Sequence, residues 1–295
     1  MYSLLEMFCD VDDFCQEFEP QWEQRQLRAG IKQRRGSGQL CLSEIMTMLI
    51  HFHQSSYRDF KAYYQAHVMV HLRSEFPNLV SYPRFVTLMQ ETILPLTGYL
   101  YCLFGTCSGV SFVDSTSLAV CHNRRIQQHK VFEGIAARGK TSMGWFYGFK
   151  LHLVVNDQGE LLACQLTPGN VDDRGPVPIL SKWLFGKLFG DRCYISRPLF
   201  EQLWQDFQVQ LITMLRKNMK NRLMTLSDKL LLLKCALIET SIDQLKNISQ
   251  IEHSRHRSPI NFVVKVLAGL IAYCHQPKKP ALQFVNDLNA IVSYP

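Results

Sequence analysis

The chain has 295 residues, of which 47% are hydrophobic and 19% are charged. This composition excludes a disordered or collagen-like chain, and the length allows one large domain with a smaller module. The longest apolar stretch, residues 262–274, is shorter than the roughly 20 residues that a bilayer crossing needs, and the acidic first residues do not resemble a signal peptide. The ten cysteines are dispersed without Cys-x-x-Cys spacing, so we predict free thiols in a cytoplasmic protein.

The net charge of +7 is concentrated toward the C-terminus. Residues 1–108 carry a net charge of −2, residues 109–211 carry +2 and residues 212–280 carry +8. The basic residues of the last region form three short clusters, at 216–222, 253–257 and 277–279. A single such cluster is more often an ordinary solvated face, but three in one acid-poor region favour a nucleic-acid-binding surface.

Residues 1–108 show the spacing of helices. Ile45, Met48, Leu49 and Phe52 define one apolar helical face, residues 54–56 form a polar break, and Pro83 suits the first turn of a further helix. Short helices joined by tight turns are compatible with a helix-turn-helix module, and equally with any small helical bundle.

From residue 109 onward the pattern predicts an α/β domain with a mixed sheet. The predicted elements, in chain order, are strands 110–114 and 145–155, a hairpin turn at 156–159, strand 161–166, a helix over 174–185 capped by residues 169–173, strand 187–191, helix 197–207, strand 209–215, and helices 230–246 and 262–274. We place the domain boundaries at 1–108, 109–280 and a tail at 281–295.

Two predicted strands end in a carboxylate. Asp114 and Asp191 are unfavourable at these positions unless something pairs with them, and neighbouring strands would bring both to one sheet edge. Glu239 lies on a predicted helix, on the same face as Asp243 and Lys246. Two aspartates and a glutamate supply the hard oxygen ligands that Mg²⁺ prefers, and two ions would stabilise both oxygens of an in-line phosphoryl displacement.

Each of these acids also has a purely structural interpretation. Asp114 could cap a turn, Asp191 could pair with a nearby arginine, and Glu239 could be an exposed partner of Lys246. Asp172 and Asp173 compete for the role of second ligand, but a helix N-cap explains them more simply.

The ordered set of motifs resembles a DDE transposase of a bacterial insertion sequence, and most nearly the family numbered 982. The similar segments are residues 112–116 (FVDST), 167–173 (TPGNVDD), 190–191 (GD), Glu239 with Lys246, 215–220 (LRKNMK), 243–248 (DQLKNI), 253–259 (HSRHRSP) and 267–273 (LAGLIAY). The resemblance covers nearly all of residues 8–280, and the set is specific although each acid alone is not.

The resemblance implies an RNase H-like catalytic core in which Asp114, Asp191 and Glu239 are the catalytic residues and hold two Mg²⁺ ions, which Mn²⁺ replaces. It also implies a helical N-terminal region that binds the terminal inverted repeats, and a homo-oligomer acting on double-stranded DNA ends and target DNA in the bacterial nucleoid. A catalytically impaired copy that only binds DNA is the alternative, as is another RNase H-like nuclease.

Three positions depart from the family pattern. Leu232 and Cys235 stand seven and four residues before Glu239, where such transposases often have tyrosine and arginine. Cys193 stands where a glycine is usual, and we expect it to crowd the strand end. Loss of an arginine removes a bidentate phosphate contact, which is the reason for considering an impaired copy.

Further basic residues are candidates for phosphate contacts. His122 and His129 accompany a basic loop after the first strand, and His152 is equally a satisfied strand histidine or a group near the metals. The predicted DNA-binding residues are Arg124, Arg125, Lys130, Lys150, Arg216, Lys217, Lys220, Lys246, Arg255 and Arg257.

Overall fold

The computed structural model describes residues 3–30, 40–142, 144–215, 219, 224–252 and 257–282. Four of the predicted DNA contacts, together with most of the predicted tail, lie outside the described residues; these contacts are Arg216, Lys217, Lys220 and Arg255.

The N-terminal part is helical, as predicted. Its helices are α1 (Leu4–Arg28), α2 (Leu42–Phe52), α3 (Phe60–Ala62), α4 (Met69–His71), α5 (Tyr82–Leu88) and α6 (Ile93–Cys102), and a π-helical turn, Tyr63–Val68, joins α3 to α4. Ser3 and Glu6 form a reciprocal capping box at the start of α1. Pro83 lies in the first turn of α5, where a backbone N–H would make no hydrogen bond within the helix, so its absence costs nothing.

A six-stranded mixed sheet follows. Its strands are β1 (Val110–Cys121), β2 (Ala137–Thr141), β3 (Gly144–Asn156), β4 (Leu161–Pro168), β5 (Gly186–Gly190) and β6 (Val209–Thr213). The order is β2-β3-β1-β5-β6, and β4 also pairs with β3. β1 is antiparallel to β3 and parallel to β5, while β2 and β4 pair with successive parts of the other edge of β3. This mixed α/β arrangement is compatible with an RNase H-like core.

Two helix predictions for the second part were wrong in detail. The predicted helix over 174–185 is reduced to α7 (Val177–Leu180). Pro178 lacks the N–H that a helix starting at residue 174 would need there, so it fits only the first turn of a later helix, and turns follow Leu180. The predicted helix over 230–246 is two helices, α9 (Leu226–Leu233) and α10 (Ala236–Asn247). Between them, the amides of Lys234 and Cys235 bond to carbonyls three residues back, which tightens the turn and redirects the chain.

The remaining helices cover the two faces of the sheet. α8 (Arg197–Phe207) contributes Leu199 and Leu203 to a small core with α7, on one face. On the other face, α10 and α11 (Pro259–Cys274) share one large core with the N-terminal helices. Tyr273 of α11 donates a 2.7 Å hydrogen bond to the carbonyl of Gly159 in the hairpin turn, so α11 connects the N-terminal helices to the sheet.

The predicted thiols are confirmed, because all ten cysteines are free. Among the described residues, no helix is both long and apolar enough to cross a membrane.

Candidate active site

The sheet register places Asp114 next to Asp191. Val113 of β1 pairs in parallel with Gly190 of β5, and each aspartate is the next residue of its chain. β5 ends at Gly190, whereas β1 continues to Cys121. Gly190 itself has no room for a side chain, because a Cβ there would lie 2.9 Å from the ring of Tyr194. The two carboxylates therefore lie together at the carboxyl end of β5, where open α/β sheets place their sites.

Glu239 belongs to the same neighbourhood. It lies in the first turn of α10, a helix that packs against β1. Leu237 and Ile238 are buried and fix this turn, while Glu239 remains exposed. The charges of Asp191 and Glu239 both raise the pKa of Asp114, so the three acids predicted from the sequence interact electrostatically.

Asp114 is the most strongly perturbed of these acids. Its pKa is raised to about 7, with burial as the largest cause. The Ser115 backbone N–H opposes this rise by donating a 2.7 Å hydrogen bond to the carboxylate, and the negative charges of Asp191, Glu239 and Asp173 contribute to it. A half-buried carboxyl among three other acids costs free energy when ionised, and a bound cation would remove that cost.

The donor set is chemically suited to a divalent metal. Carboxylate oxygens are the ligands that Mg²⁺ and Mn²⁺ take. After burial, the negative charges of Asp191, Glu239 and Asp173 also raise the pKa of Asp114, so a cation would be stabilised at this position. Within the described part of the chain, no three acidic, histidine or cysteine side chains already converge on one metal position. Asp114, Asp191 and Glu239 therefore fit a metal by charge and donor type, with side chains that would have to move toward it.

Asp173 is a fourth acid at the site that the sequence reasoning assigned to a helix cap. Its Oδ1 accepts hydrogen bonds from the Ser115 hydroxyl at 2.7 Å and from the Lys150 ammonium at 2.9 Å. The cap prediction was wrong, because α7 begins only at Val177 with no side-chain cap. Asp172 instead pairs with Arg174 at 2.6 Å on the surface. The alternation of Lys150 and His152 on β3 was the available signal for a buried partner acid.

Lys150 and His152 belong to this buried network. Lys150 is 8% exposed, and its ammonium donates hydrogen bonds to the Val171 carbonyl and to Asp173. A buried ammonium of this kind cannot contact DNA phosphates, so the predicted DNA contact at Lys150 was wrong. His152 is fully buried, with Nε2 2.9 Å from the Thr167 hydroxyl and Nδ1 4.0 Å from Asp173. Burial lowers the pKa of His152 to about 4, which makes it a neutral strand histidine.

Two of the three departures from the family pattern, Cys235 and Cys193, lie at the site, and the third, Leu232, is buried in the core. The pKa of Cys235 is raised to about 12, first by burial and then by the charges of Glu239, Asp114 and Asp191. The exposed Cys193 donates a hydrogen bond from its backbone N–H to the Asp191 carboxylate at 2.9 Å. It follows the end of β5, whose last residue is Gly190. The Cys235 thiol is therefore protonated and neutral where an arginine would have brought positive charge.

The other predicted DNA-binding residues have different environments. Arg124, Arg125, Lys130 and Arg257 are exposed, as a phosphate contact requires. Lys246 is three-quarters buried and lies 3.2 Å from the carboxylate of Glu252, so that ion pair would have to open before Lys246 could bind phosphate.

The sheet and the grouped carboxylates place this chain among α/β proteins with an acidic site at the end of a mixed sheet. The model of a family described as "Transposase DDE domain" matches residues 104–259. Because this match spans more than half of the chain, the protein belongs to that family and is a DDE transposase. Such domains generally use divalent metals, and the family implies DNA as the partner. A comparison with curated proteins found no match.

Proposed function

We propose that this transposase binds the terminal inverted repeats of an insertion sequence, of the bacterial type numbered 982. It hydrolyses DNA at the repeat ends and joins the freed 3′-hydroxyls to target DNA, acting as a homo-oligomer. The observation that carries the proposal is the parallel pairing of Val113 with Gly190, because it brings Asp114 and Asp191 together at one strand end.

The two steps are phosphoryl transfers that balance without a protein nucleophile. In the first, water attacks the scissile phosphorus and the 3′-oxygen leaves, giving a 3′-hydroxyl and a 5′-phosphate. In the second, that 3′-hydroxyl attacks a target phosphodiester, a new 3′,5′ bond forms, and the target strand's own 3′-oxygen leaves. Bound divalent cations would supply charge neutralisation and an acidified water.

The residues of the chain have separate tasks in this scheme. Asp114, Asp191 and Glu239 would hold the cations, and the Ser115 backbone N–H orients Asp114 by donating a hydrogen bond to its carboxylate. Asp173 is already bonded to Lys150 and Ser115, so we assign it to positioning β1 rather than to metal binding. The exposed Arg124, Arg125, Lys130 and Arg257 would contact phosphates.

A catalytically impaired copy is the second candidate, and the position of Cys235 favours it. Its neutral thiol interacts with three acids where an arginine would offset their charge. Such a copy would bind repeat ends without cutting them, and Cys235→Arg would restore cleavage.

Cleavage of DNA that carries the flanking terminal repeats tests the function. With Mg²⁺ or Mn²⁺ we expect cuts at the repeat ends and none with EDTA. Binding at the ends without cutting in either metal supports the impaired copy, and cutting without end preference supports a different nuclease. Exchange of Arg124 and Arg125 for Gln should lower the slope of log affinity against log salt by about 0.9 for each lost phosphate contact.

A further inference from the structure

The β2–β3 hairpin carries an exposed tryptophan with two cationic side chains beside its ring. Trp145 is 52% exposed, with the Arg138 guanidinium 4.8 Å and the Lys140 ammonium 5.6 Å from its ring centroid. Lys140 pairs directly with Trp145 across the strands, and Arg138 pairs with Tyr147. Because partners across an antiparallel pair share a face, the aromatic ring and both cations lie on the same side of the hairpin.

The surroundings of Trp145 are strongly basic. Residues 122–145 contain five arginines and lysines and a single acid, Glu133. That acid lies 3.7 Å from Lys130, and within the described residues neither Arg138 nor Lys140 has a carboxylate partner. Asn123 donates a 2.6 Å hydrogen bond to the Trp145 carbonyl, which ties the basic turn with Arg124 and Arg125 to the same hairpin.

The hairpin is aligned with the carboxylate site. Leu153 of β3 pairs with Asp114 of β1, and Trp145 lies eight residues earlier on the same strand, so the two share one face of the sheet. At about 3.3 Å per residue, the separation along the strand is about 26 Å.

We propose that Trp145 is a stacking platform for an unpaired base of the DNA on which the proposed function acts, with Arg138 and Lys140 binding the flanking phosphates. A half-exposed aromatic ring with two cations beside it suits a base with its flanking phosphates. Bases inside a duplex have no free face, so the partner is DNA with a locally opened strand. This inference deepens the proposed function and rests on it.

The test measures binding of the full-length protein to two duplexes in EDTA. They have the same sequence and one fluorescent base analogue, which is paired in one duplex and unpaired in a bulge in the other. The Trp145→Ala variant loses base stacking and should bind the bulged duplex about 5- to 150-fold more weakly and the paired duplex less than about twofold more weakly. Trp145→Phe should retain most of the preference, and the analogue's fluorescence should be quenched only when an aromatic side chain is present.

Trp183 provides the matched control, because it is 88% exposed and lies outside the hairpin. Trp183→Ala should leave the preference for the bulged duplex unchanged. Equal affinity of the unaltered protein for both duplexes, or an unchanged preference in Trp145→Ala, would overturn the proposal. Since binding is measured without metal, a protein that prefers the bulge but never cuts contradicts the proposed function and leaves the platform standing.

Discussion

Exchange of Asp114 for Asn should stabilise the metal-free protein at alkaline pH. The carboxyl has a pKa of about 7 in the folded chain against an ordinary 3.8, so the folded state holds its proton more tightly than the unfolded state. As the pH rises from 3.8 to 7, that proton is lost and the folded state is destabilised. The asparagine stays neutral and can still accept the Ser115 N–H bond.

The pKa difference sets the size of this effect. It corresponds to about 4 kcal/mol at pH 8, as an upper bound, and to about 2 kcal/mol at pH 5, where the folded carboxyl is still protonated and the unfolded one is mostly ionised. Urea unfolding of both proteins in EDTA, at pH 8 and at pH 5, measures the two differences directly.

Asp172→Asn is the control for a general effect of removing a negative charge. Asp172 pairs with Arg174 on the surface, and this hydrogen bond lowers the pKa of Asp172, so the substitution should give no stabilisation at either pH. If Asp114→Asn were destabilising at pH 8, or its effect were independent of pH, the account of a crowded acidic site would be refuted.

Two further substitutions test the packing around the site. Asp173→Ala leaves the buried Lys150 ammonium without its carboxylate partner and should lower the free energy of unfolding by about 3 kcal/mol. The surface control Asp172→Ala should change it by less than about 1 kcal/mol. Equal effects of the two substitutions in urea unfolding would contradict the buried ion pair. Gly148→Ala would drive its new methyl into the β1 backbone and should lower the melting temperature sharply, while Gly175→Ala, which meets only ordinary contacts from 3.4 Å, should not.

The sequence was sufficient to predict the strands that carry the site. The apolar runs before Asp114 and Asp191 predicted strands ending at those residues, and parallel pairing then places the two acids together. β2 was missed because residues 137–141 (ARGKT) have only one β-branched side chain, and their extended conformation depends on hydrogen bonds with β3. Pairing with β3 likewise extends β1 to Cys121, beyond the predicted end at Asp114.

The break between α9 and α10 had no local signal, because neither Pro nor Gly interrupts residues 226–247. It arises from the packing of α10 against β1, which depends on residues distant in sequence. The ion pair of Asp173 with Lys150 could not be predicted for the same reason, because the two residues are 23 positions apart in the sequence. Contacts of this kind follow from the assembled sheet and not from local propensity.

Mapping of cleavage at the terminal repeats, for the unaltered protein and for Asp114→Ala, tests the central claim most directly. We expect cuts at the repeat ends with Mg²⁺ or Mn²⁺, loss of these cuts in Asp114→Ala with DNA binding retained, and full cutting by the matched Asp172→Ala. Cutting that survives Asp114→Ala would contradict the assignment of the catalytic site.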